Sequence, residues 1–262
     1  MNGFNVMIDL QQITFRYDSR HLIFEDFSWS VGKGESWAVL GASGGGKTTL
    51  FYLLAGLREV ESGQILINGS KLVKPRPQTG LILQDFGLLP WATVEENVTL
   101  GRRIRRFYGP DGKHVPTGED PAAIREAGDY WMEKLALCEI RGRYPHQISG
   151  GQRQRTAIAR TLSLNPDLLL MDEPFASLDV PTRESLQKVV IDLRQERHIT
   201  NILVTHSIEE AALMGEKILV LKGAPNRHPI IIENRWGGSH AFLHTDDFNR
   251  ICIRLRRELE TR

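Results

Sequence analysis

Gly41-Ala42-Ser43-Gly44-Gly45-Gly46-Lys47-Thr48 fits the pattern G-x-x-x-x-G-K-[ST]. A short apolar run, Ser36 to Leu40, precedes it, and Lys47 to Leu57 reads as a helix closed by Arg58 and Gly63. Strand, glycine-rich loop and helix in that order are the context in which this pattern holds phosphate. Glycines let backbone N–H groups turn inward around phosphate oxygens, where a side chain would clash. The helix N-terminus adds the positive end of its dipole. Lys47 would place an ammonium on the β- and γ-phosphates, and Thr48 would ligate Mg²⁺. A glycine-rich turn that merely precedes Lys-Thr is the competing reading, and the ordered flanks argue against it.

Outward from this loop the chain alternates strand and helix signals. Phe27-Ser28-Trp29-Ser30-Val31 alternates apolar residues with serines, which suits a sheet with one buried face, and Gly32-Lys33-Gly34 reads as a turn. Gln64 to Asn68-Gly69 reads as a strand ending in a turn. Unbroken apolar runs at Leu81–Leu83, Leu168–Met171 and Ile202–Thr205 read as parallel strands covered on both faces. Between Leu83 and Leu168 the pattern is helical, and residues 109–121, rich in Gly, Pro and charge, read as an exposed loop. The layout predicts an α/β core with an antiparallel sheet near the N-terminus and a helical insert.

The strand at Leu168–Met171 ends in Asp172-Glu173. Asp172 would hold Mg²⁺, and Glu173 would orient or deprotonate an attacking water. A capped strand leading into a turn at Pro174 is the plainer reading. Both this pair and the glycine loop fall at C-terminal strand ends, where α/β sheets bind ligands.

At 262 residues the chain fits one large domain or one domain with an insert. With 41% hydrophobic and 25% charged residues it is neither disordered nor fibrous. Lys plus Arg number 33 against 32 Asp plus Glu, so a dedicated duplex-DNA binder is disfavoured. Two distant cysteines, Cys138 and Cys252, give neither a disulfide framework nor a zinc site, which suits a reducing compartment. The longest apolar runs, such as Ile218–Leu221, fall far short of the ~20 residues of a spanning helix. The start, MNGFNVMIDLQQ, lacks a basic segment before an apolar one, so no secretory signal is expected.

Ile148-Ser149-Gly150-Gly151-Gln152-Arg153-Gln154-Arg155 precedes a helical run from Thr156 to Leu164. A Ser hydroxyl and two glycines at a helix N-terminus form a second anion site, or else a plain Ser N-cap with a glycine turn. With the motifs above, the octet resembles the LSGGQ signature of the ATP-binding subunits of ATP-binding-cassette (ABC) transporters, with Ile148 in place of Leu. The resemblance covers residues 6–222, with a helical subdomain near 90–162 and an extension at 223–262. It implies a P-loop NTPase (RecA-like) core carrying the antiparallel β subdomain and the helical insert. It also implies an ATP hydrolase that binds ATP and Mg²⁺. Tyr17 would stack on adenine, and Gly41, Ser43, Gly44, Gly46, Lys47, Thr48 and Thr49 would line the phosphates. Gln84 would sense Mg²⁺ and the γ-phosphate, joining Thr48 and Asp172 around the ion. Ser177-Leu178-Asp179 would form the loop that crosses a dimer interface, and His206 would be the switch histidine on the γ-phosphate.

The resemblance further implies a head-to-tail dimer, homomeric or heteromeric. Each ATP would lie between one cradle and Ser149, Gly150, Gly151 and Gln152 of the other subunit. Transmembrane permease subunits would dock on residues 85–98, where Leu88, Leu89, Pro90 and Trp91 look exposed; a packed loop is the alternative. The chain would sit peripherally on the cytoplasmic face of the inner membrane, served by a solute-binding protein. LILQDFGLLPWATVEENVTL looks most like the nitrate, sulfonate and taurine importer group, which includes thiamine-precursor carriers.

A soluble ABC-type ATPase acting on nucleic acid or the ribosome is the runner-up. The run Arg102, Arg103, Arg105, Arg106 would be its contact, but a solvated helix face or anionic lipid also suits it, and nucleic-acid binding is not expected. Phe248, Ile251, Cys252, Leu255 and Leu259 predict an amphipathic helix over 246–260 that packs on its own domain.

Overall fold

The computed structural model describes residues 5–107, 120–176 and 178–260. They fall into two compact units, one of the described residues within Met1–Arg76, Leu168–Glu173 and Val190–Arg262, the other of those within Pro77–Asp167 and Pro174–Val189.

The first unit opens with a hairpin of β1 (Val6–Arg16) and β2 (Leu22–Gly32), extended by β4 (Ser62–Ile67) and β5 (Ser70–Lys71), in the order β2-β1-β4-β5. This is the expected antiparallel sheet, and Phe27, Trp29 and Val31 face its core while Ser28 and Ser30 face out. Leu10 and Ile13 are both buried although three apart, which strict alternation forbids. A register shift between them, with Gln12 at φ 48°, inserts the extra residue; Asp26, at φ 49°, stands likewise between buried Phe24 and Phe27.

β3 (Ser36–Gly41) lies between two parallel neighbours, β8 (Thr200–Thr205) and β9 (Lys217–Leu221). β7 (Leu168–Asp172) pairs parallel with β8, and β10 (Ile230–Glu233) pairs antiparallel with β9. All of β3, β7 and β8 is buried, as their unbroken apolar runs predict. α1 (Lys47–Leu54) stops three residues earlier than the sequence pattern predicts, because the chain turns left-handed at Gly56.

The second unit holds β6 (Thr79–Ile82) and the helices α2 (Val94–Phe107), α3 (Pro121–Lys134) and α4 (Gly150–Leu162). The expected loop at 109–121 lies outside the described residues up to 119; Asp120 is extended and exposed, and only Pro121 is already helical. Asp120 caps α3 by accepting from Ala122 N at 2.9 Å, and Pro121 is its first residue, where a missing N–H costs nothing. The arginine run is not simply a solvated face either. Arg102 and Arg105 reach across to donate to the carbonyls of Ser163 and Leu164.

α5 (Val180–Arg197) and α6 (Ile208–Met214) precede β8 and β9, and α7 (Asp246–Glu260) packs against α6 within the first unit. Phe248 and Leu255 are buried, and Glu258 pairs with Lys222 at 3.2 Å, so the amphipathic helix covers its own domain. No helix among the described residues is long and apolar enough to cross a membrane.

Candidate active site

The glycine loop leaves the central strand β3 and enters α1 at Gly46, its N-cap, which sits at φ 96°. A Cβ on Gly41 would fall 2.4 Å from the Leu221 carbonyl oxygen, so the loop cannot start with any other residue without moving β9. Leu50 N donates to Gly46 O at 2.8 Å, the first bond of the helix. The N–H groups of Lys47, Thr48 and Thr49 precede that bond and point out of the helix end. Thr48 and Ser43 are exposed and Lys47 is buried.

Lys47 Nζ donates to Gly41 O at 2.8 Å and to Ala42 O at 3.0 Å. Burial pushes its pKa down, against the electrostatic pull of Glu173 and Asp172. Asp172, the last residue of β7, is itself buried; burial, and then repulsion from Glu173, push its carboxyl up while Lys47 holds it back. Glu173 leaves the strand at φ 45°, a left-handed conformation that an L-residue rarely adopts, and places its Oε1 2.9 Å from His206 Nδ1. His206 follows β8 and is 62% exposed at its side chain. Its neighbours are fixed: Thr205 Oγ1 donates to buried Glu210 at 2.7 Å, and Ser207 N donates to Thr205 Oγ1 at 3.0 Å.

Tyr17 lies just beyond β1 with half its surface open. Its hydroxyl is 3.2 Å from Thr49 Oγ1, Phe15 meets its edge, and the Arg58 guanidinium stands over one face. Tyr17, the glycine loop, Asp172, Glu173 and His206 thus belong to one unit.

Gln84, Ser149, Gly150, Gly151, Gln152 and Asp179 belong to the other. Gln84 is exposed at the turn after β6, and Arg160 of α4 braces that turn by donating to Phe86 O at 3.0 Å and Gly87 O at 2.6 Å. Ser149 is the N-cap of α4, so the helix starts at Gly150 rather than at Thr156. Gln152 N donates to Ser149 Oγ at 3.2 Å, and Ser149 N donates to Gln152 Oε1 at 2.9 Å, a reciprocal cap. Gly151 faces Thr182 at the start of α5, whose N–H donates to Asp179 Oδ1 at 3.1 Å. Of Ser177-Leu178-Asp179, Ser177 lies outside the described residues.

The segment at 85–98 lines an open groove of about 370 Å³, with Leu89, Trp91, Leu100, Arg103 and Ile104 among its walls. Trp91 is 74% exposed, so the packed-loop reading fails for it. Buried Asn97 holds the segment in shape, donating through Nδ2 to the carbonyls of Leu89, Ala92 and Thr93 and accepting from Leu89 N. Sequence reading missed Asn97, since a lone Asn in a helix carries no visible signal.

Known proteins resemble this chain in sequence and in fold. The chain is 36% identical over 213 residues to an aliphatic sulfonates import ATP-binding protein of Bacillus cereus, covering 81% of this chain and 79% of that one. A taurine import ATP-binding protein of Pelagibacter ubique is 39% identical, covering 78% of this chain and 72% of its own. A nitrate import ATP-binding protein of Synechococcus elongatus is 34% identical, with 78% and 71% covered. Among solved structures, a dimeric post-hydrolysis ATP-binding cassette bound to ADP and Pi superposes with a TM-score of 0.75 at 27% identity, over 87% of this chain and 99% of that one. Another, cbiO1 from Clostridium perfringens, part of the ABC transporter complex cbiONQ, gives 0.74 at 25% identity over 97% of both. The family described as ABC transporter matches residues 24–176, from β2 through the glycine loop and the α4 cap to the Asp172-Glu173 pair, and the chain belongs to that family.

Proposed function

We propose that this chain hydrolyses ATP to drive solute import through separate membrane subunits. The convergence of Lys47, Asp172, Glu173 and His206 within one unit carries this reading. Water attacks the γ-phosphorus, the bond from the γ-phosphorus to the β–γ bridging oxygen breaks, and ADP and inorganic phosphate leave. Glu173 takes the water's proton, and His206 holds Glu173 in place from 2.9 Å while facing the γ-phosphate. The loop N–H groups and the Lys47 ammonium stabilise the charge that spreads over the γ-oxygens. Tyr17 stacks on the base through its open face.

Asp172 is a buried carboxyl whose charge is opposed by its neighbour, which suits a cation. Together with Thr48 of the same unit it offers the hard oxygen donors Mg²⁺ takes, and the bound ion would supply neutralisation at the β- and γ-oxygens. Ser149, Gly150, Gly151 and Gln152 serve the nucleotide of a second subunit, with Asp179 at the same interface. Beyond the reciprocal cap, this helix end still offers the Ser149 hydroxyl hydrogen and the N–H groups of Gly150 and Gly151, a donor set that suits an anion. The dimeric cassette among the similar structures supports this. Residues 6–222 form the cassette and 223–262 an extension packed on it.

The groove at Trp91 takes a helix of a membrane subunit, which places the chain on the cytoplasmic face of the membrane. A solute-binding protein completes the importer. The relatives' names favour sulfonate, taurine or nitrate as solute over any action on nucleic acid. The test is phosphate release from ATP by the purified chain with Mg²⁺, then uptake of these solutes after reconstitution with the membrane subunits. Absence of turnover in the assembled complex would overturn the ATPase reading. Turnover that no solute of this group stimulates would overturn the solute assignment.

A further inference from the structure

Beyond Leu221 the chain leaves β9 and runs along the outside, with Gly223, Ala224, Pro225 and Arg227 exposed. Asn226 alone dips inward and is 8% exposed. Its backbone pairs with β2: Asn226 N donates to Ile23 O at 2.8 Å, and Glu25 N donates to Asn226 O at 3.0 Å. Its side chain goes further, with Nδ2 donating to Ile23 O at 3.2 Å and to Gly45 O at 2.9 Å. Gly45 belongs to the glycine loop. The residue after it, Gly46, has Ile23, Asn226 Nδ2 and Phe24 so close that a Cβ there would meet all three within 3.3 Å.

The peptide joining Gly45 to Gly46 is trans, so its C=O and its N–H point in opposite directions. Holding the Gly45 carbonyl against Asn226 on the outer wall therefore aims the Gly46 N–H to the other side, into the cradle. We propose that Asn226 is a positioning residue for nucleotide binding: the extension after β9 sets the peptide that presents the Gly46 N–H to phosphate. Residues 223–262 then do more than cover the core. The proposal rests on the glycine loop being the phosphate cradle. Its distinct content is that a residue outside the loop fixes one of its donors.

Asn226→Asp tests it, because the shape is kept while a donor facing Gly45 O becomes a repelling oxygen. The control is Asn234→Asp. Asn234 is buried in the same extension, and its Nδ2 donates to Ala212 O and Gly215 O, both at 2.7 Å, with no contact to the loop. ATP and ADP titrations, ATPase kinetics and melting curves are run on wild type and both variants. Asn226→Asp is expected to weaken ATP and ADP binding about tenfold and to raise KM by as much, with kcat at saturating ATP within about twofold. Asn234→Asp is expected to lower Tm without moving nucleotide affinity. If Asn226→Asp does not fold, Asn226→Ala, which removes the donor without adding charge, is read in the same way. Wild-type affinity in the Asn226 variant, or a loss no greater than in the Asn234 variant, overturns the proposal. A wild-type chain that binds no ATP overturns the cradle itself along with it.

Discussion

The two units hold their polar residues in opposite ways. In the first, ionisable side chains lie within electrostatic reach of one another: the carboxylates of Glu173 and Asp172 act on Lys47, and Glu173 is 2.9 Å from His206. In the second, the candidate residues are tied by local caps and exposed to solvent. Ser149 and Gln152 satisfy each other, Gln84 is exposed, and exposed Asp179 is held below the ordinary carboxylate range by the backbone N–H and side chain of Thr182. The first arrangement suits bond breaking, where preorganised charge matters most. The second suits recognition of an anion brought by another molecule. Substitutions should therefore separate chemistry from assembly according to the unit they touch.

Glu173→Gln should break the first unit's chemistry most severely. The amide keeps the shape but cannot take a proton, so turnover should fall by about 10²-fold or more while ATP still binds. Size exclusion with ATP should reveal an accumulated dimer. Near-wild-type turnover would remove Glu173 from the base role.

Ser149→Arg probes the second unit. Hydrolysis should be lost, yet ATP affinity of the monomer should stay close to wild type, whereas Lys47→Ala should abolish binding in the same titration. Equal losses of affinity in the two variants would place Ser149 on its own nucleotide and erase the division of labour.

Legibility followed the same division. The glycine loop, the acidic pair and the Ser149 cap were readable because each is a run of adjacent residues whose local conformation dictates what it offers. β7 and β8 were readable as unbroken apolar runs, whereas the run at Leu81–Leu83 is the end of a strand, Thr79–Ile82, that buries only alternate residues. What escaped depends on partners distant in sequence. Asn226 and Asn97 look like any polar residue until the carbonyls they grip are in place. A solvated face was one reading of Arg102 and Arg105, yet they span about 60 residues of sequence to reach the carbonyls of Ser163 and Leu164, just past the end of α4. The bulges at Gln12 and Asp26 were hidden because apolar residues three apart mimic a helix. The end of α1 was misplaced because Gly56 sits inside an otherwise continuous apolar pattern.

Trp91→Ala asks whether the second unit's exposed groove faces a partner. Truncating a large exposed aromatic at a docking centre costs about 2 kcal/mol, about thirtyfold in affinity for the membrane subunits. Because Trp91 is 74% exposed, the melting temperature of the isolated chain should barely move. Unchanged co-purification with the permease beside a lowered melting point would mean that the side chain supports the fold instead.

The smallest effect concerns charge that serves stability in the first unit. Glu35 accepts from Gly32 N at 2.8 Å, Trp37 Nε1 at 2.6 Å and Lys217 Nζ at 2.7 Å, joining the turn before β3 to β9. Burial raises its pKa, but the bonds from Lys217, Trp37 and Gly32 outweigh that, and the carboxyl titrates below its ordinary value. A carboxyl depressed by folding contributes its full stability above the unfolded-state value and loses it as pH falls through the folded one. Glu35→Gln should therefore cost about 1 kcal/mol at pH 7, a figure already reduced for the screening of a partly exposed pair. The gap from wild type should narrow as the pH falls below the ordinary glutamate range, since wild type then loses the same charge. Urea midpoints at pH 7 and in acid measure it. A gap that stays constant would assign the contribution to the shape of the hydrogen-bond cluster rather than to its charge, and the contrast between the two units would then rest on the active-site charges alone.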